Sequence, residues 1–307
     1  MTALAPDSAD LIGTPAFVHG RQRSQLRVLD LRSGEQRLVV DTADHLEAPN
    51  WSPDGQWLLC NGGGRLLRIA ADGRGAPQAV DTEPALDVNN DHVVAPDGRS
   101  IYVSENAGGH LYALPWGGGA ARRVSNVHPA AGQRRHYLHG ISPDGATLVY
   151  VGISGSPGVY GLYAIPAAGG PDTTLLEPGV PVDGPEFSPD GAWVYFNAED
   201  PARAPGHAQL YRMRPDGSGV VQLTHDERVN WFPHPSPDGQ WLVCLSYPPG
   251  TRGHPANRPV QLRLMGPDGQ GARDVATLLG GQGSLNVNSW SPDSSAFAFV
   301  SYPAAPG

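Results

Sequence analysis

The chain has 307 residues, 40 of them Gly and 31 Pro, with 17% charged residues and a formal net charge of −9. That balance excludes a basic nucleic-acid-binding face and favours short strands and tight turns over helices. All 21 basic residues are Arg, which excludes Schiff-base chemistry and a lysine general base.

At the N-terminus, MTALAPDSADLIGTP carries neither the basic nor the apolar region of a signal peptide. No apolar run approaches the roughly 18 residues of a spanning helix. The expectation is a cytoplasmic protein with no membrane partner. Next, QLRVLDLRSGEQRLVV (25–40) reads as two strands around a Ser-Gly turn. A six-fold repeat follows: SPDG at 52–55, APDG at 95–98, SPDG at 142–145, 188–191 and 236–239, and SPDS at 291–294. The prolines, Pro53, Pro96, Pro143, Pro189, Pro237 and Pro292, are 43, 47, 46, 48 and 55 residues apart. In each copy Pro presets φ and Asp-Gly tolerates positive φ. An apolar strand such as QWLLC or WVYFN comes after, then two more strands around a Gly-rich turn.

A period in the forties with strand content predicts an all-β, six-bladed β-propeller of four-stranded blades. The blades span 46–82, 87–126, 136–177, 182–225 and 229–279 within a single domain, 1–307. The sixth copy stops after two strands, so 285–302 is expected to be completed by 25–40, closing the ring. Cys60 and Cys244 occupy equivalent sites in different repeats and are expected to be buried and unpaired. The phrases EAPNWSPDG, NNDHVVAPDG, DGPEFSPDG, NWFPHPSPDG, SYPPGTRGHPANRPVQLRLM and NVNSWSPD resemble the TolB-like propellers, whose repeats are called PD40 or WD40-like. The similarity covers 25–302 and is closest to the short bacterial TolB family. More distantly, the chain is similar to oligogalacturonate lyases, propellers that hold a divalent metal with histidines near the central channel. The resemblance implies the fold and leaves the ligands to be read from this chain.

The first strand of each blade lines the channel, with side chains expected to alternate. The six segments are HLEAPNW, VNNDHVV, RRHYLHGI, PVDGPEF, VNWFPHP and LNVNSW. They hold Glu47, Asn50, Asn89, Asn90, Asp91, His92, His136, His139, Asp183, Glu186, Asn230, His234, Asn286 and Asn288, polar groups that are costly to bury unless paired or bound. The expected metal set is His92, His139 and His234 with Glu47 or Asp183, for Mn, Fe, Zn or Ca. His136 or His254 would accept a proton, and Asp183 and Glu186 would form an acid/base pair. The long loops 197–208 and 246–259 lie on the channel-mouth face. Arg252 and Arg258, with Arg134 and Arg135, suit a carboxylate or phosphate on a small polar ligand. Tyr137 and Trp231, with Asn90, Asn230, Asn286 and Asn288, would complete a site for a saccharide or uronate. There is no GxSxG, HExxH, P-loop or GxGxxG motif. Two classes of function stay open: a lyase or hydrolase, metal-assisted, on a carbohydrate-like substrate, and a non-catalytic propeller that binds a protein partner or small ligand.

Overall fold

The computed structural model describes residues 11–128, 133–155, 157–200 and 203–306. The signal-peptide reading of residues 1–10 lies outside the described residues. Six antiparallel blades surround a central channel, and no α-helix occurs among the described residues. None there is long and apolar enough to cross a membrane. Blade 3, for example, runs Arg134–Ile141, Thr147–Ser154, Val159–Pro166 and Thr173–Gly179 from the axis outward. The apolar faces of neighbouring blades pack together. One such cluster joins Trp231, Phe232, Val243, Tyr247 and Val260 to Leu29, Trp290, Phe297 and Phe299. Cys60 and Cys244 are free and buried.

Ring closure follows the expected pairing. Ser24–Asp30 runs antiparallel to Ala296–Ser301, in register from Gln25 opposite Ser301 to Asp30 opposite Ala296, and pairs on its other edge with Gln36–Thr42. The innermost position of that blade is filled by 285–290. A bridge between Trp290 and Phe297 and a bond from the Ala298 N–H to the Ser289 carbonyl hold it there. Removing residues 1–40 exposes the edge of Ala296–Ser301 and the apolar side chains that Leu26 and Leu29 cover, among them Val300 and Phe297, each fully buried in the intact chain. The truncated chain is therefore expected to be unfolded or aggregated by circular dichroism and size-exclusion chromatography. A native-like melting transition would show that the closing strands are dispensable.

Blade 2 departs from the expected pattern. Its outer strand shrinks to Arg122–Arg123, because Gly118 and Gly119, at φ 87 and 110, redirect the chain. Gly119–Ala120 instead pairs in parallel with Thr82–Glu83, tying blade 2 to the end of blade 1.

The repeated turn has a physical reason. In blade 4 the Ser188 hydroxyl donates to Asp190 and accepts from the Trp193 N–H, while Asp190 also accepts from the Ala192 N–H. The copies at Ser52, Ser142, Ser236 and Ser291 repeat this network. The Ser hydroxyl is the main cause that holds Asp54, Asp144, Asp190 and Asp293 below the usual carboxylate range. The sixth copy replaces Gly with Ser294, which keeps a positive φ of 61 and accepts a bond from the Asp238 N–H of blade 5. The second copy has Ala95 in place of Ser, so only the Arg99 N–H bond to Asp97 remains. Ala95→Ser is expected to raise stability by roughly 1 kcal/mol and Ser236→Ala to lower it by roughly 1–2 kcal/mol in urea unfolding. Equal stabilities across all three proteins would mean that the hydroxyl serves no structural purpose.

Candidate functional site

The inner strands do not alternate simply, because each regular one carries a bulge. The register slips between Glu47 and Asn50, Val88 and His92, Leu138 and Gly140, Asp183 and Glu186, and Trp231 and His234. In blades 1, 4 and 5 the residue at positive φ (Ala48 at 52, Gly184 at 59, Phe232 at 56) is followed by Pro49, Pro185 or Pro233. A bulge re-aims the side chains on either side of it. Here it divides the channel into an upper and a lower polar network.

The upper network centres on His139, 2% exposed. Its Nε2 lies 2.8 Å from Asp183 Oδ1 and 3.7 Å from Asp91 Oδ1, and its Nδ1 is 3.3 Å from the Asn286 carbonyl. The ring stacks on Phe232 at 5.8 Å. Both nitrogens face acceptors, so the ring is held as an imidazolium. Burial alone would lower its pKa, but Asp183 and Asp91 outweigh burial and raise it to about 9. Burial pushes Asp91 up despite His139 and the Nδ2 donors of Asn286 (2.6 Å) and Asn89 (2.9 Å). Asp183 is also opposed by burial, yet His139 keeps it below its ordinary value. Its other oxygen, Oδ2, lies 3.5 Å from His254 Nε2 in the long loop of blade 5. The Trp231 ring meets the His254 ring edge-on at 4.6 Å.

His254 and Glu47 share the wall of a pocket of about 440 Å3, with Phe17, His19, His45 and Tyr302. Burial, reinforced by Asp91, raises the Glu47 pKa to about 7. Burial and His19 push His45 down to about 4. Phe17 stacks on His45 at 4.7 Å. Residues 14–16 are tied down by Asn257, whose Nδ2 donates to Thr14 Oγ1 and the Ala16 carbonyl and whose Oδ1 accepts from Gln22 Nε2. At Gly283 any Cβ would lie 2.6 Å from Glu47 Oε1, so glycine there makes room for the carboxyl.

The lower network joins His234 to Glu186. Its Nδ1 is 2.6 Å from Glu186 Oε2 and its Nε2 is 3.1 Å from the Leu285 carbonyl. Asn288 donates to Glu186 and to the Pro235 carbonyl. Below them a funnel of about 380 Å3 opens, rimmed by all six repeat prolines and walled by Trp51, Phe187 and Trp290.

The proposed metal set does not assemble. Among the described residues, no three His, Cys, Asp or Glu side chains gather as a metal centre. His92 Nε2 faces the Leu59 carbonyl at 3.4 Å, and burial pushes its pKa to about 4. Both nitrogens of His139 and of His234 are already engaged. With the nitrogens of His139 and His234 engaged and His92 facing a backbone carbonyl, the residues present do not fit a shared ion.

Other expected residues also leave the channel. His136 bonds the Gly109 carbonyl through Nδ1 at 2.7 Å and sits between the rings of His110 and His128, at 5.9 and 5.5 Å. Arg134 lies over Tyr163 at 3.6 Å and beside Asp172, and Arg135 bonds the Asn106 carbonyl and the Tyr137 hydroxyl. Asn230 is fully buried and bonded to Ser246 and Asp226. Arg252 packs beside Gly206, Arg258 reaches towards Gly13, and Asn90 contributes only its carbonyl, to Asn286. The structure brings together Glu47, His139, Asp183, His254 and Asn286 above, and Glu186, His234 and Asn288 below. Phe17, His19, His45 and Tyr302 were not anticipated. Phe17, His19 and Tyr302 lie outside the inner segments, and His45, which opens HLEAPNW, precedes the strand Glu47–Trp51.

Fold and site together define a six-bladed propeller with a buried carboxylate–imidazole network on its axis. No family model matches the chain. It is 38% identical over 286 residues to the uncharacterized protein Atu1656 of Agrobacterium fabrum (strain C58 / ATCC 33970), covering 92% of this chain and 94% of that protein. A solved structure described as "putative TolB from Agrobacterium tumefaciens" is 38% identical, covers 94% of this chain and 100% of its own, and superposes with a TM-score of 0.84. An oligogalacturonate lyase in complex with manganese shares the fold at 17% identity and a TM-score of 0.55, over 75% of this chain and 64% of its own. The chain belongs to the TolB-like propeller family.

Proposed function

We propose that this protein is an enzyme acting on a small saccharide-like ligand held in the upper mouth pocket, with proton transfer between Glu47 and the Asp183–His254 pair. One observation carries the reading. Asp183 is anchored on His139 at 2.8 Å and stands 3.5 Å from His254, which shares a pocket wall with Glu47. A carboxyl whose pKa lies near 7 donates or accepts a proton with little driving force at neutral pH. An imidazole backed by a carboxylate is oriented as its partner. The stacked Phe17 and His45 rings provide a flat face of the kind a sugar ring packs on. The reaction class is elimination or hydrolysis, both of which need such a pair. The distant fold likeness to an oligogalacturonate lyase is consistent with a carbohydrate.

The test is a turnover screen of neutral, amino and acidic glycosides, followed by chromatography of the products. Conversion of at least one, reduced by about 100-fold or more in Glu47→Gln and Asp183→Asn, supports the reading. Binding without conversion across the screen would make the protein a binding module. The other reading, a scaffold for a protein partner, is favoured by the proline-rimmed funnel on the opposite face. Its sign would be a partner captured by the wild type and lost when the funnel wall is changed by Phe187→Ser.

A further inference from the structure

The lower face carries a second cavity beside the funnel. A cleft of about 590 Å3 lies where the last blade meets the first, and Asp30, Glu35, Arg37, Asp54 and Asp293 line it. It shares Trp51, Pro53 and Pro292 with the funnel, so the two form one continuous surface.

The two halves of that surface differ in chemistry. The funnel wall is apolar, and its Trp51, Ile141 and Phe187 are only half-buried. The floor offers little to a polar ligand, because Asn50, His139, Glu186 and Asn288 are already bonded within the protein. The cleft is acidic. Its lining sets four carboxyl groups against one cation, Arg37, whose Nη2 donates to the Ala71 carbonyl at 2.8 Å. Glu35, Asp54 and Asp293 are exposed, and exposed carboxyls are ionised at neutral pH. None of the four carboxyls forms an ion pair among the described residues. Asp30, Asp54 and Asp293 are held in place by turn bonds to Oδ1, so their charge sits at fixed points. An apolar hollow bordered on one side by fixed negative charge matches a partner that is apolar at one point and basic beside it. A second copy docked face to face would bring the same carboxylates against these, like charge on like.

We infer that the lower face docks an extended segment of a partner protein, with a bulky apolar side chain in the funnel and arginine or lysine side chains along the cleft. The inference rests on the second reading above, the funnel as a partner surface, and is independent of the upper pocket.

Four short capped peptides test it. Three have a central tryptophan flanked on both sides by arginine, by serine or by glutamate, and the fourth is the arginine peptide with glycine in place of tryptophan. Each is titrated calorimetrically into the full-length protein at pH 7 and low salt. The arginine–tryptophan peptide is expected to bind about 10-fold more tightly than the serine peptide, and the glutamate peptide more weakly than either. Its glycine counterpart is expected to bind about 10-fold more weakly. Glu35→Arg changes an exposed side chain and is expected to reduce the arginine-to-serine ratio to about 3-fold or less. Glutamate and arginine peptides of equal affinity would overturn the inference and leave the funnel as a partner surface. An arginine preference that survives in Glu35→Arg would overturn the assignment to this cleft, and equal binding of the glycine and tryptophan peptides would remove the funnel as anchor. A wild-type dimer in sedimentation velocity that becomes a folded monomer in Phe187→Ser would give the funnel to a second copy and overturn the inference. Failure of all four peptides to bind would overturn the partner-surface reading itself, and the inference with it.

Discussion

Glu47→Gln is expected to make the protein more stable, not less, and only above mildly acidic pH. The Glu47 pKa rises from an ordinary 4.5 to about 7 in the fold. A raised acid stabilises the folded state below its unfolded pKa and loses that contribution as pH climbs through the folded value. Between pH 4.5 and 7 the fold therefore pays increasingly for holding a carboxylate. Gln carries no such cost. The difference is capped at about 3 kcal/mol by the size of the shift. Its side chain is 23% exposed, which brings the expectation to roughly 1–3 kcal/mol at pH 8. Urea unfolding at pH 4.5 and pH 8 measures it: near-equal stabilities at the lower pH and a gain for the variant at the higher. A variant less stable than wild type at pH 8 would show that the carboxylate is well solvated or paired and not poised for chemistry. A group that costs stability where it sits is a mark of function, because packing alone would not retain it.

The largest loss is expected from His139→Gln. This substitution removes the imidazolium 2.8 Å from Asp183 and 3.7 Å from Asp91, the group that most offsets the burial of both carboxyls. Breaking such a pair typically costs about 3–5 kcal/mol. Two controls separate charge from packing. Acid should restore part of the loss, because the stranded carboxyls can then take up protons. Adding Asp183→Asn should restore stability at neutral pH, giving a favourable coupling in the double-mutant cycle. Additive losses in the two substitutions would show that His139 contributes by volume alone.

The same charges shape the pH profile of the wild type. His139, with a folded pKa near 9 against an ordinary 6.5, stabilises the fold fully below pH 6.5 and loses that contribution as pH rises through 9. His45, His92 and His136 behave in the opposite way. Burial holds each near 4, so their contribution is present above pH 6.5 and is lost as pH falls through 4.

Much of the architecture can be read without coordinates, and the reason is local. Ser188, Asp190 and Gly191 close a turn whose bonds lie within six residues, so six copies announce six turns. Their even spacing leaves room for one four-stranded blade each. The unfinished last copy implies that Ser24–Asp30 must return to it. The site is legible only as a set of candidates. His139, Asp183, Glu186 and His234 were visible as polar residues on strands that packing alone would make apolar. Their partners were not visible. The paired metal-ligand reading of His92, His139 and His234 assumed that side chains alternate along each inner strand. The bulges at Leu138–Gly140, Asp183–Glu186 and Trp231–His234 cancel that regularity by one residue each.

The sequence by itself determined the all-β propeller, its six blades and its closure, because turn chemistry and strand period are properties of neighbouring residues. Only the tertiary structure decided that His139 pairs with Asp183 while His234 pairs with Glu186, and that Phe17, His45 and Glu47 share a pocket with His254. Those contacts join residues far apart in the chain at distances set by bulge, blade angle and burial, and no local pattern encodes them.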